Sequence, residues 1–185
     1  MPDVNETIVR HFFELNGFLV RTNVKYWVCG DRGGGDSDID LVVLNLNPDK
    51  LNPPQDFVLT LDALAGLRQA IVETKGWHTS SFTEGLIKGT PRIFNFVRPE
   101  AIQAVRDTVL YDAEFQRILV VSRLSPQSPN REAAMKLMKD GGIDHVIEFD
   151  TVVRFIVSQV EQNKNYPDSE ILQTIRLLKV YGVLR

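Results

Sequence analysis

An α/β fold with a mixed central sheet and helices on both faces is what this sequence predicts, from three observations. Short apolar or β-branched runs of strand length recur at residues 39–46, 70–75, 118–122 and 145–149. Segments of helical periodicity stand between and around them. In order, the chain reads as one helix, three strands, and then alternating helices and strands, a pattern that closes into a sheet covered on two sides. With 185 residues, 43% of them apolar and 24% charged, it has the size and balance of a single domain able to bury a sizeable core.

The elements follow in order. Residues 3–16 carry Val4, Ile8, Val9, Phe12, Phe13 and Leu15 near a helical period, with Asp3 and Glu6 spaced as a capping box and Gly17 as the stop. Residues 18–29 are β-branched and aromatic, interrupted at Thr22-Asn23, which predicts one bent strand or a hairpin. The run GDRGGGD after Cys29 reads as a flexible hairpin turn, since it lacks the Lys-Ser/Thr of a phosphate-binding loop and no helix follows it. After the strand at 39–46 come a Pro/Asn-rich loop, a short helix at 60–69 and the strand at 70–75. Residues 78–90 are polar and less regular. A helix at 99–110 opens on Pro99, a strand occupies 118–122, and a helix at 129–140 is stopped by Gly141-Gly142 before the strand at 145–149. The tail, residues 151–184, reads as two helices around NKNYPDSE.

Composition narrows the setting. Cys29 is the single cysteine and so forms no internal disulfide, and His11, His78 and His145 stand far apart. A reducing, cytoplasmic location and no structural zinc are expected. The opening MPDVNETIVR is acidic and polar, and no apolar run approaches the ~20 residues of a membrane span, so no membrane association is expected. The net charge of −3 means that any nucleic-acid surface has to be a local patch.

Two stretches carry chemistry: Ser37-Asp38-Ile39-Asp40-Leu41-Val42-Val43 and Ala70-Ile71-Val72-Glu73-Thr74-Lys75. Both set charges in strands that read as buried, where an unpaired carboxylate or ammonium costs several kcal/mol and therefore calls for a partner or a metal. Strand alternation puts Glu73 and Lys75 on one side, and Asp38 and Asp40 likewise on one side. If the two strands are neighbours, Asp40 and Glu73 can share a divalent cation, Mg2+ or Mn2+, while Lys75 holds or deprotonates an attacking water and offsets charge developing on a phosphate. Asp38 is either a supporting group near that metal or a turn residue.

From about Val4 to Arg123 this sequence resembles the PD-(D/E)XK, or restriction-endonuclease-like, nucleases. Glu14, Gly17, Phe18 and Val20 match the family's opening E-x-x-G-F-x-V, Asp40 its metal-binding aspartate, and Glu73 and Lys75 its E-x-K strand. The resemblance implies a three-layer fold, with the core at about 4–123 and a C-terminal helical extension at about 124–185, all within one domain spanning 1–185. It implies a Mg2+-dependent endonuclease hydrolysing phosphodiester bonds of DNA, with Asp40, Glu73 and Lys75 catalytic and the first two binding metal. Glu14 and Gln103 loosely match carboxylate and glutamine positions that some relatives use in support. The interval between Asp40 and Glu73 is longer than in compact members, implying an inserted loop and helix.

Around these residues, Arg21, Lys25 and Arg32, with Arg10, are candidates for a DNA-backbone patch, and Trp77 and His78 for stacking on a base or touching a phosphate. Cutting two strands commonly takes two such sites, which points to a homodimer. Each of these residues also has an ordinary reading, as an ion pair at a sheet edge, a packed aromatic or solvated surface charge. Two other functions fit part of the pattern. Ser-Asp-Ile-Asp-Leu after glycines also resembles a nucleotidyltransferase signature using Asp38 and Asp40, though Asp31 stands where the serine of that signature belongs. The third is a catalytically inactive nuclease fold kept as a nucleic-acid-binding module, against which the intact Asp40, Glu73 and Lys75 count.

Overall fold

The computed structural model describes residues 3–28, 35–109 and 114–184. Residues 29–34, with Cys29 and Arg32, lie outside the described residues, and with them most of the expected hairpin turn and one cation of the expected patch; Gly35 and Asp36, the end of that expected turn, belong to a strand.

The chain forms α1 (Val4–Leu15), β1 (Phe18–Val28), β2 (Gly35–Asn45), α2 (Leu61–Leu64) and β3 (Gln69–Lys75). It continues through α3 (Glu84–Gly89), a 3-10 segment at Pro91–Val97, α4 (Pro99–Val109), β4 (Gln116–Val121), α5 (Ser128–Asp140), β5 (His145–Glu148), α6 (Phe149–Gln159) and α7 (Glu170–Val180). The five strands make one sheet in the order β1-β2-β3-β4-β5. β1, β2 and β3 are antiparallel neighbours, whereas β3, β4 and β5 run parallel through helical crossovers. This is the mixed, helix-covered sheet that the element order predicts.

Each face of the sheet has its own core. Beneath α1 and α6, the side chains of Phe12, Phe13, Val152 and Ile156 close over Leu41, Val43, Val72 and Val120. On the other face, Ala101 and Val105 of α4 and Ala134 and Met138 of α5 cover Ile71, Leu119, Val121 and Val146. β3 and β4 are therefore buried on both sides, which explains why they read as continuous apolar runs rather than alternating ones.

Several local expectations change. The capping box forms only in half: Asp3 occupies the N-cap without a side-chain cap bond, while the Glu6 carboxylate accepts from the Asp3 N–H. The helix expected at 60–69 keeps only Leu61–Leu64. Its end tightens into 3-10 bonds, Gly66 N–H to the Ala63 carbonyl and Leu67 N–H to the Leu64 carbonyl, and Gly66 passes so close to the Asn52 carbonyl that a Cβ there would lie 1.8 Å from the oxygen. The polar stretch at 78–90 contains α3, capped by Thr83, and is followed by the 3-10 segment. Residues 18–28 form one strand and no hairpin, and β2 begins four residues before the expected Ile39, at Gly35.

The bend expected at Thr22-Asn23 is real, and it positions the site. Asn23 has φ 56°, the left-handed region. Before it, Phe18 and Val20 pack into the core under α1; after it, Val24 and Tyr26, of the same parity, pack into the opposite core. Ile39 and Leu41 of β2 are split between the cores in the same way. Both strands thus reverse their facing between the pairs Thr22↔Leu41 and Val24↔Ile39, where Asn23 stands opposite Asp40. Replacing Asn23 with valine should destabilise the protein by about 1–2 kcal/mol, because a β-branched residue strains at positive φ, whereas glycine should be close to neutral. Denaturant melts of the two variants check this, and equal stability would show that the bend carries no strain.

Candidate metal and phosphodiester site

The β2–β3 ladder runs from Leu44↔Gln69 to Leu41↔Val72 and stops there. At the next position the Asp40 carboxylate takes over from the main chain: its Oδ2 accepts the Thr74 N–H at 2.6 Å. Asp40 is thereby held against β3, next to Glu73, and is 7% exposed. Alternation along β3 puts Glu73 and Lys75 on the same side, and the Lys75 ammonium donates to Glu73 Oε1. Glu73 is 8% exposed, and its other oxygen, Oε2, is buried without a hydrogen-bond partner among the described residues.

The charges report one another. Burial, and after it the neighbouring Glu73 carboxylate, push the Asp40 pKa up to about 8, against the opposing pull of the Thr74 N–H and Lys75. Glu73 is raised as well, by burial first, with Lys75 pulling the other way. For Lys75 burial works against the ammonium, but Glu73 and Asp40 outweigh it and hold its pKa above the ordinary value. Lys75 is therefore a firmly charged ammonium rather than a proton acceptor.

Glu6, which the sequence pattern singles out only for its cap, belongs to this neighbourhood. It lines a small cleft of about 30 Å³ with Thr7, Arg10, Thr22, Asn23 and Asp40, and its charge contributes to the raised pKa of both Asp40 and Glu73. Glu14 does not: it sits at the far end of α1, where it pairs with His11 and Arg10. The connectivity carries the signal. The chain turns back at Gly17, so α1 and β2 run the same way and the start of α1 lies beside the Asp38–Asp40 end of β2. A supporting carboxylate from α1 has to come from its first turns.

The remaining candidates separate. Asp38 is exposed, opposite Lys25 in the β1–β2 register, and near enough for its charge to raise Glu73. Gln103 stands on the exposed side of α4 and donates to Asp107 at 2.7 Å. Arg21 and Lys25 are both exposed, but the reversal at Asn23 sends them to opposite faces of the sheet, so they do not form the single stripe that unbroken alternation implies. Trp77 is stacked on Phe82, with centroids 5.3 Å apart, and is committed to packing. His78 is exposed, 2.9 Å from the Asn5 amide oxygen and edge-on to Phe149, and fixes the loop after β3 to the starts of α1 and α6.

Among the described residues no cluster of three or more His, Cys, Asp and Glu forms a metal cage. Two hard carboxylates, one with a buried unpartnered oxygen, suit Mg2+, which is commonly held by one or two carboxylates with water and phosphate completing its shell. No family model matches the chain, and neither the curated proteins nor the solved structures give a match. Among the described residues, no helix is long and apolar enough to cross a membrane.

A pH dependence arises from Asp40. Its folded-state pKa lies above the ordinary 3.8, so the folded chain holds this proton more tightly than the unfolded chain does, and the contribution is present at low pH. It is lost as pH rises from about 4 to about 8 in the metal-free protein, and Glu73 acts with the same sign. Asp40→Asn still offers the Thr74 N–H an oxygen but cannot ionise. Thermal melts in EDTA should therefore show the variant more stable than wild type above pH 8, and the difference should vanish or reverse near pH 5. Parallel pH profiles for the two proteins would show that Asp40 ionises normally.

Proposed function

We propose that this chain is a Mg2+-dependent endonuclease of the restriction-endonuclease-like kind, hydrolysing phosphodiester bonds of DNA. One observation carries the reading above the others: Asp40 at the break in the β2–β3 ladder and the Glu73–Lys75 pair on β3 meet in one partly buried site, with a Glu73 oxygen left without a donor. The sheet supports it. A mixed sheet with helices on both faces is compatible with the three-layer fold that the family resemblance implies.

Asp40 and Glu73 would hold the ion. Bound Mg2+ would compensate the two carboxylates and supply Lewis-acid polarisation of the scissile phosphate. Asp40 must lose its proton to serve as a ligand, so metal affinity should rise with pH toward 8. Lys75, kept charged by Glu73, orients the attacking water by donating to it and stabilises negative charge on the phosphate oxygens. Its raised pKa leaves the water's proton to another acceptor. Lys25, opposite Asp38, and Arg10, in the cleft beside Asp40, are the cations near the site that would meet the DNA backbone in this reading.

Incubation with linear, circular and branched DNA, with Mg2+ or with EDTA, tests the proposal. Wild type should cut only with metal. Glu73→Gln and Lys75→Ala should each lower the rate by about 100-fold or more while leaving DNA affinity within a few-fold, because most backbone contacts lie outside the site. Absence of metal-dependent cutting on every substrate, with binding retained, would leave a nucleic-acid-binding module instead. Metal-dependent nucleotide incorporation that survives Lys75→Ala would favour transferase chemistry at Asp38 and Asp40.

A further inference from the structure

The far end of α1 meets α7 through a relay that the phosphodiester site does not use. Ser169, which opens α7, has its Oγ 2.7 Å from His11 Nε2, and His11 Nδ1 lies 3.0 Å from Glu14 Oε2. An ionised carboxylate only accepts, so Nδ1 carries the ring hydrogen, Nε2 keeps its lone pair, and the Ser169 hydroxyl donates to it. His11 is 5% exposed, and burial, against the pull of Glu14, holds its pKa below the ordinary value, so the ring is a neutral base at neutral pH. Ser169, His11 and Glu14 line one open depression of about 370 Å³, together with Arg10, Asn165 and Asp168.

Capping accounts for part of this. Ser169 Oγ accepts the Leu172 N–H at 3.2 Å, as an N-cap does. A cap, however, has no need of an imidazole lone pair, nor of a carboxylate aligned behind that imidazole. The additional partners are those that activate a serine: a base on the hydroxyl and an acid fixing the tautomer of the base.

We propose that Ser169, His11 and Glu14 form a second, metal-independent acyl-transfer site that takes small carboxylic esters. Ser169 Oγ bonds to the ester carbonyl carbon as its proton passes to His11 Nε2. The acyl–alkoxy bond then breaks, and the alcohol leaves with that proton. Water gives a proton to His11 and its oxygen to the acyl carbon; the carboxylic acid departs and the proton returns to Ser169. Glu14 is a positioning residue, acting through the ring.

The test treats the full chain, in EDTA, with a fluorophosphonate probe and with p-nitrophenyl acetate. Wild type should be labelled at Ser169 by peptide mapping and should release p-nitrophenol in a burst of about one equivalent. Ser169→Asp keeps a capping acceptor for the Leu172 N–H but has no nucleophile, so its melting temperature should stay near that of wild type while labelling disappears and hydrolysis falls about 100-fold or more. Glu14→Gln should lower kcat with KM unchanged. An unlabelled Ser169 in folded wild type, or hydrolysis unchanged in Ser169→Asp, would overturn the proposal and leave the relay as a tether between α1 and α7.

Discussion

The bond from the Thr74 N–H to the Asp40 carboxylate is the constraint on which the site depends. Where β2 and β3 part, a main-chain donor on β3 would otherwise be stranded in a buried layer, at a cost of about 1–3 kcal/mol. A side-chain oxygen fills that place at 2.6 Å, so satisfying the sheet and placing a carboxylate beside Glu73 become a single event. The reversal at Asn23 belongs to the same device. With regular alternation through both strands, the residues beyond Asp40 would face the wrong core, and Ile39 would not reach the layer under α4. The left-handed residue on β1 lets the hairpin change sides at the position where the ladder gives way to a carboxylate.

That placement has an energetic consequence. Asp40 and Glu73 are two acids in a desolvated site with one ammonium, Lys75, between them and neutrality, and Glu6 adds a further negative charge nearby. The metal-free state responds by holding a proton on Asp40 at pH values where an exposed aspartate is ionised. In the proposed nuclease a divalent cation and the proton would compete for the same compensating role.

Most of the architecture is legible in the sequence because periodicity reports burial. The twice-buried strands β3 and β4 read as apolar runs, α1, α4 and α5 read as amphipathic, and Glu73 with Lys75 comes from alternation alone on a regular strand. Legibility fails where structure depends on single backbone positions or on distant contacts. Alternation groups Arg21 with Lys25 because nothing in a period of two registers the φ of Asn23. The helix expected at 60–69 is overextended because Gly66 is limited by the Asn52 carbonyl, which the chain brings in from another segment. α3 and the 3-10 segment are too short to establish a period. Motif matching selects Glu14 rather than Glu6 from α1 because it disregards direction, although the turn at Gly17 already implies which end of the helix returns to Asp40.

The two ends of α1 therefore serve different surroundings. Glu6 and Glu14 are eight positions apart, roughly 12 Å along a helix at 1.5 Å per residue and about 80° apart around it, so α1 carries carboxylates to two separate places. At the first, Glu6 adds to an excess of negative charge; at the second, Glu14 pairs with the Arg10 guanidinium and accepts from the neutral His11 ring. The intervening side chains on the inner face, Val9, Phe12 and Phe13, are fully buried and hold the helix at a fixed distance from the sheet. Arg10, which pairs with Glu14, lines both the cleft beside Asp40 and the depression at Ser169, so one cation stands between the two ends. α7 is held from two sides, by the His11–Ser169 contact to α1 and by Lys179, which donates to the Val157 and Val160 carbonyls at the end of α6.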